Sequence, residues 1–576
     1  MSTKTEEAPS PAAAEKQTRL FLLALVLVSV LQYSYSFGNG FVWDAKGVFL
    51  EDPSIRELKY LPGFFTGVSA LGDPSQHSAP AGTSVTRIPY YRPLMKVLHL
   101  AEYAAFGTNP IPYNAVDIFL NALVVALCFL VVRSVTGKPE VAFLASLLYA
   151  VNPARAEVVS WSYSDSYIVG AVFSLSALLF YHRKRYLLSA LSFGFALLSH
   201  ETAVLVPCIL LLYEYLVRGE RRLAPLRRLS VFFALTGLFL LLRRSVAGPV
   251  PVTDLGPFAF ANAAVVLLAR YVKIFFLPDA PVTIYQYRPG MFAAISREVM
   301  LSYAAALLMA ALGLFLWRRK RHLLFWYLWF FVFISVSLNV GRFGDYLMAE
   351  KMLYVASLGL CVVIADLAGA FGKKRLGAAF VALLAVIQFG VTLHRTLFWT
   401  DTKTYLNKAL EFAPGFYLGH YALAGEYWEQ KEYDRAISEY KKTLELKPDL
   451  RFVSGYISDL HNEKGYEYAS SGRYAEAIKE YEESLAIRPS QSAVYNNLGN
   501  IYSLRGFDGE ALKSWQKAVA IDPANYEATF NLALACEKGG DRASALKYYR
   551  ACLGISPQAP TELLEKVRQL QQGGRR

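Results

Sequence analysis

The spacing of apolar residues divides the chain in two. From residue 20 to residue 394 long apolar stretches alternate with short basic or aromatic segments, and beyond Trp399-Thr400-Asp401 the pattern becomes amphipathic with a fixed period. A membrane-crossing helix needs ~20 mostly apolar residues. Stretches of this kind fall at 20–38, 113–132, 138–151, 166–181, 186–199, 202–217, 229–243, 299–317, 323–340, 352–369 and 376–394. The shorter ones are expected inside the bundle or beside long loops. Polar Met1 to Thr18 reads as a disordered cytoplasmic tail. Uncharged Leu20 to Trp43 reads as an uncleaved first helix, since no small-residue cleavage site follows it.

The C-terminal pattern has a readable register. Prolines at 414, 448, 489, 523 and 557 stand 34 residues apart except for one step of 41, the period of tetratricopeptide (TPR) helix pairs. Small residues Ala424, Gly465, Gly499 and Ala533 mark the first helix of each pair. Ala436, Ala477, Ala511 and Ala545 mark the second, with Tyr440, Tyr481, Trp515 and Tyr549 filling the gaps between repeats. The seven extra residues fall within Asp449 to Asn462 and predict a lengthened turn or helix. A leading half-repeat at 402–414 precedes the four full repeats, and a polar helix at 560–571 closes them. The predicted architecture is all-α: a tail at 1–18, a transmembrane helix bundle at 19–398 with a long first loop at 38–91, a TPR α-solenoid at 399–571, and a short tail at 572–576.

Charge placement refines this picture. The hydrophobic content is 54% and the net charge +13. The basic clusters at 182–185, 218–228, 318–321 and 373–375 each adjoin an apolar run, as the positive-inside rule requires. That placement excludes nucleic-acid binding as the meaning of the charge. All clusters share the cytoplasmic side if 262–278 does not cross fully, so that segment is expected to be re-entrant or interfacial. Eleven crossings then put the TPR arm outside, in the periplasm of a bacterial inner membrane. The five cysteines form no CxxC pair, and Cys536 and Cys552 sit at packing positions of the last repeat.

Candidate chemistry gathers on the predicted external face. Asp44 follows the first helix, where flanking aromatics would raise its pKa and fit it as a general base, with Glu51 and Asp52 nearby. Tyr91 and Arg92 open the approach to the second span, and arginine suits bidentate phosphate binding. Asp117 inside a span must face protein. Arg155, Glu157 and Asp165 share one loop, His200 and Glu201 another, and Arg342, Asp345, Glu350, Lys351 and Tyr354 a third. No HExxH, Walker or GxSxG motif is present. No metal site or cofactor is indicated, although the free carboxylates leave a divalent ion open.

As a set, FVWD…EDP, YYRPL, FGTNPIPYNAVDIFLNA, YAVNPARAEVVSW…D, LSHET, LARYVKIFFLP and AEKMLYVASLG resemble the transmembrane-and-TPR O-mannosyltransferase-like proteins of the GT-C superfamily. The resemblance runs over nearly the whole chain in order. It implies a GT-C-type bundle, a polyprenyl-phosphate-linked sugar donor, an external active site, and a protein or glycan acceptor recruited by the TPR arm. By position Asp44 matches the first acid of the family's Asp-Asp pair, and Arg92 with Pro93 its Arg-Pro. Glu157 and Asp165 match acids of its second external loop, Glu201 the Glu of its Ser-Lys-Glu motif, and Glu350 with Tyr354 its late Glu-Arg…Tyr motif. Ala45, Asn114, Asn121, Asn152, Arg155, His200 and Lys351 depart from it, which puts mannose in question more than the lipid carrier. Arg92, Arg155, Arg342 and Lys351 are the cations expected at the donor phosphate. The alternative is a non-catalytic membrane scaffold whose TPR arm recruits partners for envelope assembly.

Overall fold

The computed structural model describes residues 10–66, 90–220, 224–246, 255–276, 285–286, 290–338, 346–370, 374–556 and 561–572. It is helical apart from a two-stranded ladder, in which Tyr285–Gln286 pairs antiparallel with Tyr346–Met348. Two compact units are present, Met1–Phe416 and Tyr417–Arg576.

Several helices of the first unit start where proline can take the first position without losing a bond, since the opening N–H groups have no partner in any helix. Helices Pro11–Gln32, Pro93–Phe106, Pro110–Thr136 and Pro139–Val151 begin this way, with Ser10 and Asn109 as side-chain caps for the first and third. The Ser10 cap corrects the expectation for the N-terminal tail, because 11–18 are already helical. Residues 1–9 lie outside the described residues. Among the described residues eight helices are long and apolar enough to cross a membrane: Pro110–Thr136, Ser162–His182, Pro225–Val246, Pro257–Phe276, Arg297–Arg319, Arg321–Leu338, Glu350–Gly369 and Arg375–Trp399. Pro139–Val151 and Tyr186–Ser199 are shorter apolar helices. The expected span at 202–217 is helical throughout but changes winding, from 3-10 (Glu201–Leu205) through α (Val206–Leu212) to π (Tyr213–Val217).

The bundle's two ends differ in chemistry. At one end Asp366 receives Lys138 at 2.6 Å and Lys320 at 3.5 Å, and buried Glu214 receives Arg218 and the Tyr181 hydroxyl, both at 2.7 Å. The opposite end carries Asp44, the 152–165 segment, His200, Glu201 and Lys351. Helix Pro257–Phe276, although of membrane length, finds its polar partners at this second end. Asn262 bonds the Phe292 carbonyl and the Tyr303 hydroxyl, Arg270 pairs with Glu298, and Tyr271 bonds the Ala349 carbonyl. The Phe275 carbonyl accepts from Asn152 and Gln388. These partners lie on segments at this end or within the helices that start or finish there.

The bundle interior is packed closely. Trp326 and Trp329 are fully buried, and helix Arg321–Ser335 approaches helix Leu353–Ala370 at Gly359. A Cβ there would run into the Trp326 carbonyl oxygen and the Phe330 amide nitrogen.

The second unit consists of four helix pairs: Tyr417–Glu429 with Tyr433–Leu446, Phe452–Ser470 with Tyr474–Ile487, Ser492–Leu504 with Asp508–Ile521, and Tyr526–Lys538 with Arg542–Ile555. Helix Thr561–Gln572 closes the array. The small and aromatic positions read from the period are core: Ala424, Ala436, Ala477, Ala511, Ala533, Ala545, Tyr440, Tyr481, Trp515 and Tyr549 are all buried. Gly465 and Gly499 face the rings of Tyr481 and Trp515 with no room for a Cβ. The insertion lengthens a helix, since Phe452–Ser470 has 19 residues where its counterparts have 13. Cys536 and Cys552 are free thiols.

Two substitutions test this packing. Gly359→Ala should lower stability by about 1–3 kcal/mol, because two backbones would have to separate; thermal unfolding in nanodiscs reads it, and an unchanged melt would deny the close approach. Within each repeat the turn between helices needs a left-handed residue. Gly472, Gly506 and Gly540 supply it at φ 74°, 77° and 80°, and Lys431 takes φ 59° at the matching place. Lys431→Gly should therefore stabilise the arm by about 0.5–1 kcal/mol, seen as a higher helix melting temperature by circular dichroism.

Candidate active site

After helix Pro11–Gln32 the chain forms a 3-10 turn (Ser34–Gly38), extends, and reaches Trp43 at φ 49°. A bulky residue in that region costs on the order of 1–3 kcal/mol and must be held by its surroundings. The Trp43 N–H donates to the Thr402 hydroxyl at 2.9 Å, the Gly40 N–H to the Thr400 carbonyl at 2.9 Å, and the Trp161 indole N–H to the Val42 carbonyl at 3.0 Å. The rings of Trp161, Tyr405 and Phe416 surround Trp43 at centroid distances of 6.4, 5.8 and 5.8 Å. Asp44, the next residue, is thereby presented with its side chain exposed. Protein still hems in the carboxyl on most sides, and this desolvation raises its pKa against the opposing charge of Lys351. The segment 399–416 thus groups with the membrane unit and holds the Asp44 loop, whereas the sequence pattern assigns it to the repeats.

Arg92 is placed by the proline after it. Pro93 starts a helix, and Arg92, in a non-helical conformation before it, reaches across the bundle end. Its Nε donates to Glu201 at 2.9 Å, Nη1 to the Ser166 hydroxyl at 3.0 Å, and Nη2 meets His200 Nε2 at 3.2 Å, with the Tyr90 ring 4.5 Å from the guanidinium carbon. An arginine always donates, so Nε2 accepts from Arg92, while Nδ1 accepts from the Thr202 backbone N–H at 3.2 Å and stands 2.8 Å from the Thr202 hydroxyl. Burial, with Arg92 and Lys351 nearby, holds the His200 pKa well below its usual value and keeps the ring neutral. Gly170 makes room for it, since a Cβ there would stand 2.9 Å from His200 Cβ.

Lys351 completes the group. Its backbone N–H donates to Glu157 at 3.1 Å, and its ammonium lies 3.8 Å from the same carboxylate and 4.7 Å from the Trp161 ring centroid. The Tyr167 ring lies 3.9 Å from the His200 ring and 5.9 Å from the Lys351 ammonium. Burial raises the Glu157 pKa and Lys351 opposes it. The arrangement is one hemmed-in carboxylate and two aromatic-backed cations, each cation matched to a carboxylate that an incoming anion would displace.

Other expected site residues are placed differently. Arg155 is fully buried, with Nη1 on the Tyr149 carbonyl, Nη2 on Asn121 and the Tyr354 hydroxyl, and its guanidinium between the Tyr149 and Tyr354 rings. It and Tyr354 act as core in this geometry, out of reach of a ligand at the surface. Glu350 is buried against Arg395. Asp165 accepts from His99 Nε2 at 2.7 Å, and Asp117 is buried in helix Pro110–Thr136. The Tyr91 hydroxyl donates to the Phe65 carbonyl. Asp52 caps Ser54 and stands 3.6 Å from Lys96, and Glu51 is exposed. Arg342 and Asp345 lie outside the described residues.

Four residues of this region escape the sequence reading: Ser166, Tyr167, His99 and Glu102. The last two stand three apart, a spacing that puts both on one face of the helix that Arg92 precedes. With Asp165 they form the one group among the described residues whose ligand atoms could share a metal ion, all within 4.8 Å of one another. Burial, reinforced by the Asp165 charge, pushes the Glu102 pKa up to about 8. Burial opposes protonation of His99, but the Asp165 charge and hydrogen bond outweigh it and raise the His99 pKa.

The tetratricopeptide repeat family matches residues 419–450, 465–506 and 509–560. Among curated proteins, the mouse (Mus musculus) protein O-mannosyl-transferase TMTC3 is 23% identical over 471 residues, covering 71% of this chain and 49% of its own length. The Drosophila melanogaster protein O-mannosyl-transferase Tmtc1 is 27% identical over 144 residues, 25% of this chain and 16% of its own. The chain therefore spans half or less of the length of these relatives. Among solved structures, the first TPR of Spaghetti (RPAP3) bound to an HSP90 peptide is 23% identical, covers 21% of this chain and 94% of that one, and has a TM-score of 0.20. With eight membrane-length apolar helices leading into TPR repeats, the chain is a distant homologue of the TMTC protein O-mannosyl-transferases.

Proposed function

We propose that the chain is an integral membrane glycosyltransferase that moves a sugar from a polyprenyl-phosphate donor to a protein or glycan acceptor at the external membrane face. The observation that supports this reading is that Asp44, which feels the Lys351 charge, stands at the same end of an apolar bundle as the Arg92–Glu201 and Lys351–Glu157 pairs, in a distant homologue of O-mannosyl-transferases. The donor's isoprenoid tail would lie between helices, with its phosphate at the cations. Asp44 takes the proton of the acceptor hydroxyl as that oxygen attacks the anomeric carbon. The bond from that carbon to the phosphate oxygen breaks, and the phosphate leaves with the electron pair toward Arg92 and Lys351. One base without a second nucleophile implies inversion. Mannose is the sugar that the relatives' names favour. The TPR arm recruits the acceptor, and we read the arm as external, in the periplasm of a bacterial inner membrane, with helix Pro257–Phe276 counted as interfacial.

Full-length protein in nanodiscs, supplied with radiolabelled polyprenyl-phosphate sugars and a cell-extract acceptor, should release sugar. Asp44→Asn should reduce turnover by about 10²- to 10⁴-fold with the fold intact. Absence of turnover by the wild type with every donor would sink the transferase and leave the membrane scaffold as the better account.

The pH profile tests the base itself. Activity should rise with pH as Asp44 deprotonates, with the acid limb above the ordinary aspartate range because burial raises that pKa. Lys351 favours the charged carboxylate, so Lys351→Met should move the limb to still higher pH. A limb that stays in place would dissociate Lys351 from the base.

A further inference from the structure

The cluster beneath Arg92 is unused by the transfer chemistry. His99, Glu102, Asp117 and Asp165 come from three helices, and each is nine-tenths or more buried. His99 and Asp165 bond each other at 2.7 Å. Neither Glu102 nor Asp117 has a hydrogen bond or ion pair among the described residues. Asp117 is nevertheless close enough to Asp165 and Glu102 to interact with both electrostatically. Glu102 and Asp117 are thus enclosed without a cation of their own, and their charged forms are costly there unless something positive joins them.

We propose that His99, Glu102 and Asp165, with Asp117 as the nearest further carboxylate, bind a divalent transition-metal ion. Their ligand atoms lie within 4.8 Å of one another, whereas donors about 2.1 Å from an ion stand about 3 to 4 Å apart, so small side-chain rotations close the gap. Oxygen donors with an imidazole select Zn²⁺ or Mn²⁺ over Mg²⁺. On binding, the ion takes His99 Nε2 and the proton between His99 and Asp165 is released. Phe49 stands edge to face on the His99 ring at 4.9 Å and Tyr113 packs on Phe49 at 4.7 Å, closing one side with apolar surface. The ion fastens helix Pro93–Phe106 to the start of helix Asp165–His182. Arg92 immediately precedes the first helix and bonds Ser166 of the second, so the metal is a positioning group for that arginine. This inference does not depend on what the site transfers.

The test uses tag-free full-length protein in nanodiscs, stripped with chelator and then given ZnCl₂, MnCl₂ or MgCl₂ alone. Zn²⁺ or Mn²⁺ should bind at one per chain by elemental analysis and raise the melting temperature by about 5 °C or more, with no such rise from Mg²⁺. Glu102→Gln and Asp165→Asn should lose both effects, and the exposed control Glu57→Gln should keep them. Stripped and reloaded wild type melting together would overturn the proposal, whether or not the variants fold. A rise that persists in both folded variants would overturn it too, by moving the ion elsewhere.

Discussion

A charged group inside an apolar bundle must bring its own environment, and most of this structure follows from that requirement. Arg155 meets it without any acid, using a carbonyl, an amide oxygen, a phenol and two ring faces. Glu350 meets it with Arg395. Charges that cannot be enclosed are driven to the ends, where Lys138, Lys320 and Asp366 collect at one and Asp44, Glu157, Glu201, Arg92 and Lys351 at the other. The second collection is the one that makes up the candidate site.

What the sequence makes legible is what repeats or what segregates along one dimension. The TPR register is of this kind: Ala436, Ala477, Ala511 and Ala545 recur at a fixed offset because each solves the same contact. The side of the bundle is also readable, since basic clusters and acid-bearing loops alternate. Depth is not. Arg92 and Arg155 both follow aromatic or polar junctions at the same end, yet one lines the surface group and the other is sealed in the core. Only the partners supplied by distant helices, Glu201 and Ser166 for the first and Asn121 and Tyr354 for the second, separate them. His99 and Glu102 went unread for a related reason, because an isolated acid on an apolar helix gains meaning only from the carboxylates it faces.

Trp43 shows how the surface group is kept in place. Its left-handed backbone is held by Thr402, and its ring lies against Trp161, Tyr405 and Phe416. Asp44 therefore takes its position from Trp161 and from Thr402, Tyr405 and Phe416, the last three more than 350 positions later in the chain. Hydrophobic enclosure and three hydrogen bonds to the backbone of 40–43 do the holding, and no charge is spent on it.

That dependence fixes where the two halves of the protein can be recombined. A joint at Trp399, where composition changes, would carry away Thr400, Thr402 and Tyr405 and leave the Asp44 loop without its clamp. A joint after Phe416, at the boundary between the compact units, leaves the clamp whole. In evolution or in a chimera, the repeat array is an exchangeable module only beyond that point, and its first half-repeat is inherited with the bundle.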